Sequence, residues 1–136
     1  MLRYLPVKTP TASQLRQIMA LYDAAGWHDK TDKPSRYRNM VRGSQHFAVA
    51  ELDGTIIAMG RAIGDGANDA YIQDVFVLPV HRGRGIAAKL LKTLLARLKK
   101  DGMRWTGLIA DKRAAGLYHR LGLRPMKGFV PMRLPK

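Results

Sequence analysis

Between Val75 and Leu91 the chain reads VFVLPVHRGRGIAAKLL: a β-rich run, a proline, a Gly-Arg alternation and an apolar helical pattern. These residue types at this spacing suit an anion. The first turn of a helix leaves backbone N–H groups unpaired and carries partial positive charge. Gly83 and Gly85 let the backbone approach a phosphate with no Cβ in between, and Arg82 and Arg84 add charge. An ordinary strand-to-helix turn with solvated arginines reads the same over so short a span.

Sharper phosphate motifs compete. Gly83 to Ala88 satisfies the dinucleotide pattern G-x-G-x-x-A, and Asp111 ends the following strand. That fingerprint, however, belongs in a βαβ unit whose strand runs almost directly into the first glycine. Here Pro79, Val80, His81 and Arg82 intervene, a hairpin-rich meander precedes, and too little chain follows for a doubly wound sheet. No Gly-Lys-Ser/Thr follows, which excludes a nucleotide-triphosphate P-loop.

The surrounding pattern predicts the elements that carry this loop. LRYLPV reads as a first strand, and Thr11 or Ser13 caps a helix in which Leu15, Ile18, Met19 and Tyr22 share a face. A polar loop, WHDKTDKP, leads to a short second helix after Pro34. HFAVAEL and TIIAMGRAI, joined by Asp53-Gly54, read as a hairpin, and AYIQDVFVL as a third consecutive strand. A long helix from about Gly83 to Lys100 carries Ile86, Leu90, Leu91, Leu94, Leu95 and Leu98 as its buried stripe. RWTGLIA is read as a strand, KRAAGLYHRLG as a helix ended by Gly122, and LRPM and FVPMRL as closing strands around Lys127-Gly128. With no repeat and no linker, residues 1–136 form a single domain. The order β-α-α-β-β-β-α-β-α-β-β gives an α/β protein with a mixed sheet and helices on its faces.

Arg82-x-x-Gly85-x-Ala87, after a strand ending Val-Leu-Pro, resembles the R/Q-x-x-G-x-G/A signature of the GNAT superfamily of N-acetyltransferases. AAGLYHRLGL is similar to that family's second signature, and the element order covers nearly the whole chain. In motif, small amine- and polyamine-type acetyltransferases are the most alike. The resemblance implies a mostly antiparallel GNAT sheet, acetyl-coenzyme A as cosubstrate, and acetyl transfer to a primary amine. It implies that the backbone of Val75, Phe76 and Val77 pairs with the pantetheine arm, with an N–H there, that of Val75, polarising the acetyl carbonyl. It further implies that Arg82, Gly83, Arg84, Gly85, Ile86, Ala87 and Ala88 hold the pyrophosphate, with Lys89 or Lys92 within reach of the 3′-phosphate. Tyr118 becomes the general acid that returns a proton to the leaving thiolate; core packing beside Leu117 and Leu121 is its other role.

Departures from the family pattern bear on the base. Gln73 stands where polyamine-type relatives carry a glutamate, and Asp111 where many carry an asparagine. An alkylammonium, with a pKa near ~10.4 as in lysine, must lose a proton before attack. Strand alternation places Asp74 on the opposite sheet face from Gln73. Asp74 is a candidate both for catalysis beside Tyr118 and for binding a cationic substrate, and Gln73 a candidate for binding that substrate. A water chain, Asp65 or His28 remain as routes for the proton. Trp27 and Tyr37 are candidates for the acceptor pocket or for the core.

Composition narrows the alternatives. The chain has no cysteine, which excludes disulfides, thiolate metal sites and an acyl-cysteine relay, so the amine attacks directly in a ternary complex. His28, His46, His81 and His119 lack metal-ligand spacing, and no metal is expected; His81 and His119 read as exposed residues. No run approaches the ~20 apolar residues of a membrane span, and the start lacks a signal-peptide pattern, which points to the cytoplasm. A homodimer is left open. The net charge of +14 suggests nucleic acid, yet no recognition motif or aromatic stacking series accompanies it. Between Glu51 and Pro79 the acids Glu51, Asp53, Asp65, Asp69 and Asp74 face only Arg61. That acidic strip inside a basic chain favours a small cationic amine near Asp65 and Asp74. A coenzyme A-binding protein without catalysis, or a basic nucleic-acid-binding module, are the competing functions.

Overall fold

The two faces of β2 (His46–Leu52) already separate the core into halves: Phe47 and Val49 join one buried cluster, Ala48 and Ala50 the other. In a computed structural model describing all residues, Met1–Lys136, this strand lies in a five-stranded sheet of order β1-β2-β3-β4-β5. The other strands are β1 (Leu2–Pro6), β3 (Thr55–Gly64), β4 (Asp69–Val77) and β5 (Trp105–Gly107). The first four pair antiparallel; β5 pairs with β4 in parallel. Helices α1 (Ala12–Ala24) and α2 (Pro34–Gly43) cover one face, and α3 (Ile86–Lys100) covers the other. The short α4 (Ala115–Arg120) packs beside α3, through Leu117 and Tyr118. The mixed α/β sheet read from the sequence stands for its first five strands.

Local chemistry explains the boundaries. Thr11 caps α1 by accepting from the Gln14 N–H at 3.1 Å, while Gln14 Oε1 accepts from the Thr11 N–H at 2.9 Å. Asp53 and Gly54 have φ of 49° and 87°, the left-handed pair that a tight hairpin turn requires. Along α3, Ile86, Leu90, Leu91, Leu94 and Leu98 are buried, and each contributes about 2 kcal/mol of apolar burial. Leu95 is only half-buried, and the helix starts at Ile86, after the glycine loop rather than within it.

The closing strands do not form. A turn stands at Lys127-Gly128, but residues 123–136 make no ladder. Pro125, Pro131 and Pro135 lack the N–H donors that paired strands need. Likewise β5 is three residues long and stops at Gly107.

Four tyrosines ionise late in this fold, Tyr4 among them through burial. Burial raises the pKa of Tyr22, with the Asp74 charge adding to it, and burial alone raises that of Tyr118. Burial and a hydrogen bond to Asp32 push Tyr37 up to about 12. Unfolded tyrosine ionises near ~10, so stability is intact below that pH and is lost as pH climbs toward the folded values. The melting temperature should therefore be insensitive to these groups up to pH ~10 and fall beyond it. Tyr22→Phe should flatten the alkaline decline; an unchanged slope would exclude Tyr22 as its source.

Candidate active site

The anion loop has the geometry its sequence suggests. Val77 ends β4, a single 3-10 turn spans Pro79–His81, and Gly83 and Gly85 adopt φ of 80° and 77° before α3 begins. None of the backbone N–H groups from Gly83 to Ala88 has an acceptor within the protein. A Cβ built on Gly83 or Gly85 would meet nothing within 4 Å, so the space above the loop is free for a ligand. Val77, His81, Arg82, Ala87, Leu117 and Arg120 form the walls of this cleft. His81 is half-buried rather than exposed, and its buried Nδ1 has no partner. Six free amides at a helix start, counted from Gly83 to Ala88, fit a pyrophosphate.

Arg82 has a role the sequence did not reveal. Its Nε donates to the Val77 carbonyl at 2.9 Å, and its guanidinium lies 5.3 Å from the Phe76 ring centre. It therefore staples the loop to the end of β4. Arg84 makes no such contact and is exposed, as are Lys89 and Lys92.

A gap opens beside the loop. β4 and β5 pair only through Asp69–Trp105, Ala70–Thr106 and Tyr71–Gly107, so β4 is unpaired on that side from Ile72 onward. The Leu78 N–H donates to Ile57 of β3 at 2.9 Å. By strand alternation the Phe76 N–H also faces β3, whereas the N–H groups of Val75 and Val77 face the gap.

Asp74 corrects the alternation expected along β4. Gly60 lies opposite both Asp74 and Val75, since the register runs Met59–Phe76 and then Arg61–Gln73. This is a β-bulge, with Asp74 at φ 56°. The extra residue turns Asp74 onto the same face as Gln73, not the opposite one. There its Oδ2 accepts from the Tyr22 hydroxyl and from Arg61 Nε, both at 2.7 Å. Its Oδ1 makes no hydrogen bond. Gln73, opposite Arg61, is exposed and also makes none.

Around Asp74 lies a second cleft, lined by Tyr22, Trp27, Asp29, Asp32 and Tyr37 together with the cations Arg36, Arg61 and Lys136. Trp27 is half exposed and packs edge-on to Phe76 and Tyr22, with ring centres 5.8 and 6.1 Å away. It is a wall of this cleft. Tyr37 is core, yet its hydroxyl reaches Asp32 at 2.6 Å. His28 stacks on Tyr37 at 5.4 Å and does not line the cleft.

The acidic strip of the sequence is dispersed. Glu51 pairs with Arg3, and Asp53 with the N-terminal amine. Asp65 lies at the far end of the β3–β4 hairpin, where its Oδ1 accepts from the N–H groups of Ala67, Asn68 and Asp69. Those bonds hold its carboxyl below the ordinary range, and it is absent from the cleft around Asp74. The acids that do accompany Asp74 are Asp29 and Asp32, from the polar α1–α2 loop that sequence reading passed over. Backbone and hydroxyl bonds from Thr31 lower the Asp29 pKa; the Tyr37 hydroxyl and the Asp29 N–H lower that of Asp32. Asp111 caps the turn before α4 and pairs with Arg113.

Tyr118 packs against the same core cluster as Val75 and Val77, and its neighbours Leu117 and Arg120 line the loop cleft. Its hydroxyl makes no hydrogen bond, and burial keeps it protonated well past neutrality. A separate apolar cleft runs from Tyr118 along β5 and residues 122–126. No three His, Cys, Asp or Glu side chains gather as a metal site, and no helix is long and apolar enough to cross a membrane.

A bulged β4, a gap at its β5 side and a glycine loop into α3 define an acyltransferase-type fold. The acetyltransferase (GNAT) family model matches residues 12–123, and the chain belongs to that family. Over 97 residues it is 36% identical to a chloroplastic serotonin N-acetyltransferase 2 of Oryza sativa, covering 65% of this chain and 48% of that protein. The chain spans about half the length of the curated relatives it matches. Its fold matches a Staphylococcus aureus protein of unknown function, a probable acetyltransferase, with TM-score 0.83, 22% identity and full coverage of both chains. A Clostridium acetobutylicum predicted acetyltransferase, solved with acetyl-CoA, matches with TM-score 0.73 and 20% identity over 98% of this chain and 96% of that one.

Proposed function

We propose that this chain is an N-acetyltransferase that moves the acetyl group of acetyl-coenzyme A to a primary amine by direct attack in a ternary complex. One observation carries the reading: the β4–β5 gap and the cleft around Asp74 adjoin at Val75 and Asp74, the two residues of the bulge. Acetyl-coenzyme A supplies an activated thioester. Gly83 to Ala88 hold its pyrophosphate through backbone amides, and Val75 and Val77 offer N–H groups to its pantetheine arm. The Val75 N–H polarises the acetyl carbonyl, an interaction worth about 3 kcal/mol in a transition state.

Asp74 Oδ1 receives the ammonium of the acceptor, with Trp27 as the adjacent wall. The ammonium gives one proton to water, its nitrogen attacks the carbonyl carbon and then gives a second proton to water, and the carbon–sulfur bond breaks. Tyr118 gives its proton to the departing sulfur and regains one from solvent. Gln73 takes no proton; it accepts a hydrogen bond from the amine. The nitrogen ends as an amide and the sulfur as a thiol, with one proton released.

Thiol release over an amine panel, run beside titration calorimetry with coenzyme A, tests this reading. Binding without thiol release would leave a coenzyme A-binding protein. Tyr118→Phe should retain acetyl-coenzyme A affinity and lower kcat about 100-fold, as loss of a general acid does. An unchanged kcat would return Tyr118 to a packing role.

A further inference from the structure

The cleft around Asp74 adjoins a second, strongly polar one. This is lined by Thr31, Asp32, Lys33, Ser35, Arg36 and Asn39, with Met40 its apolar residue. Thr31, Asp32, Arg36 and Met40 line both clefts, so the two adjoin at these side chains along α2.

The free valences at their two ends are of opposite kind. At the bulge, Asp74 Oδ1 is an uncommitted carboxylate oxygen, because Tyr22 and Arg61 both bind Oδ2. At the far end the carboxylate of Asp32 is occupied: Tyr37 and the Asp29 N–H donate to Oδ2, and Arg36 Nε lies 3.2 Å from Oδ1. What remains there is a set of donors. Arg36 turns 67% of its side chain to solvent and uses neither terminal nitrogen, while Lys33, Ser35 and Asn39 make no side-chain hydrogen bond.

We infer that the acceptor of this enzyme carries an anionic group at the end remote from its amine, with the ammonium at Asp74 and the anion held by Arg36, Lys33, Ser35 and Asn39. A plain cationic amine, the acceptor favoured by net charge, leaves the donors at the far end unanswered. A diamine sets its second ammonium against Arg36 and Lys33 and is rejected by charge. An ω-amino carboxylate or aminoalkyl phosphonate answers both ends, and Arg36 offers it two parallel N–H donors. The identification of the ammonium end rests on the acetyltransfer reading above.

The test compares n-alkylamines, α,ω-diamines, ω-amino carboxylates and ω-aminoalkyl phosphonates of matched chain length, by thiol release and by calorimetric binding in the presence of coenzyme A. Amino acids or aminophosphonates of one preferred length should exceed the equal-length alkylamine at least tenfold in kcat/KM, with diamines worst. In Arg36→Gln/Lys33→Gln that preference should collapse to near one, because the donors that create it are gone. Equal kcat/KM for alkylamine and amino acid would overturn the inference and leave acetyl transfer standing. Binding of the amino acid without thiol release, lost in the double variant, would sustain the cleft assignment and sink acetyl transfer. A preference that survives the double variant, or no binding of any member, would overturn the cleft assignment itself.

Discussion

Saturating acetyl-coenzyme A should raise the melting temperature of the wild-type chain and leave that of Gly85→Val unmoved. Ligand at 100 times its Kd stabilises by about 2.7 kcal/mol, several degrees for a domain of this size. Gly85 sits at φ 77° as the residue preceding α3, and a Cβ there would project into open space above the free amides. Valine introduces a branched side chain into that space and also strains the backbone, by about 1–2 kcal/mol for an L-residue in the left-handed region. Strain alone lowers the unliganded melting temperature, so Gly85→Asn separates the two effects. Asparagine tolerates positive φ, keeps the unliganded melting temperature close to wild type, and still places atoms over the amides. It should weaken binding by at least 100-fold. Undiminished affinity in Gly85→Asn would reduce the loop to an ordinary turn, and stabilisation by NAD in place of coenzyme A would restore the dinucleotide reading.

Legibility of this fold followed the physics of each segment. The hairpin at Asp53-Gly54 and the stripe on α3 are short-range signals, fixed by turn chemistry and a 3.6-residue period, and both stand in the structure. The glycine loop was readable because positive φ leaves its mark as glycine. The bulge at Asp74 left no such mark: an aspartate occupies the left-handed position, and strict alternation then put its side chain on the wrong face. Pairing of Tyr22, 52 residues away, with Asp74 is a tertiary fact that no local pattern encodes. Charge counting failed at Asp65 for a related reason, since proximity in sequence along β4 is distance in space. Asp29 and Asp32 looked like solvated loop residues, and only the packing of Tyr37 under that loop brings them to the cleft. The closing strands carried a visible warning in their three prolines, Pro125, Pro131 and Pro135, which the Lys127-Gly128 turn signal outweighed.

Asp74→Asn should cost both stability and turnover, because Asp74 both anchors the bulge and faces the acceptor. Asparagine accepts the left-handed backbone, so φ is preserved. One amide orientation keeps an oxygen toward Arg61 and Tyr22 and turns an NH2 toward the incoming ammonium; the other turns that NH2 against Arg61 Nε. Either way a half-buried guanidinium loses its anion, with side-chain exposures of 14% for Arg61 and 20% for Asp74. Loss of a charged hydrogen bond at such a site is worth about 2 kcal/mol, a fall of several degrees in melting temperature. For a cationic amine, kcat/KM should drop at least 30-fold, with KM raised, while a neutral aromatic amine loses less. Tyr22→Phe supplies the comparison, since it removes one hydrogen bond to Oδ2 and leaves the carboxylate charge and Oδ1 in place. Its kinetic loss should be several-fold smaller than that of Asp74→Asn once each is set against its loss of stability. Loss of kcat with KM unaltered in Asp74→Asn would assign the carboxylate to proton transfer rather than to amine binding. Equal kinetic losses in the two variants would make Asp74 an anchor of the bulge alone, and the acceptor would then be held by Asp29 and Trp27.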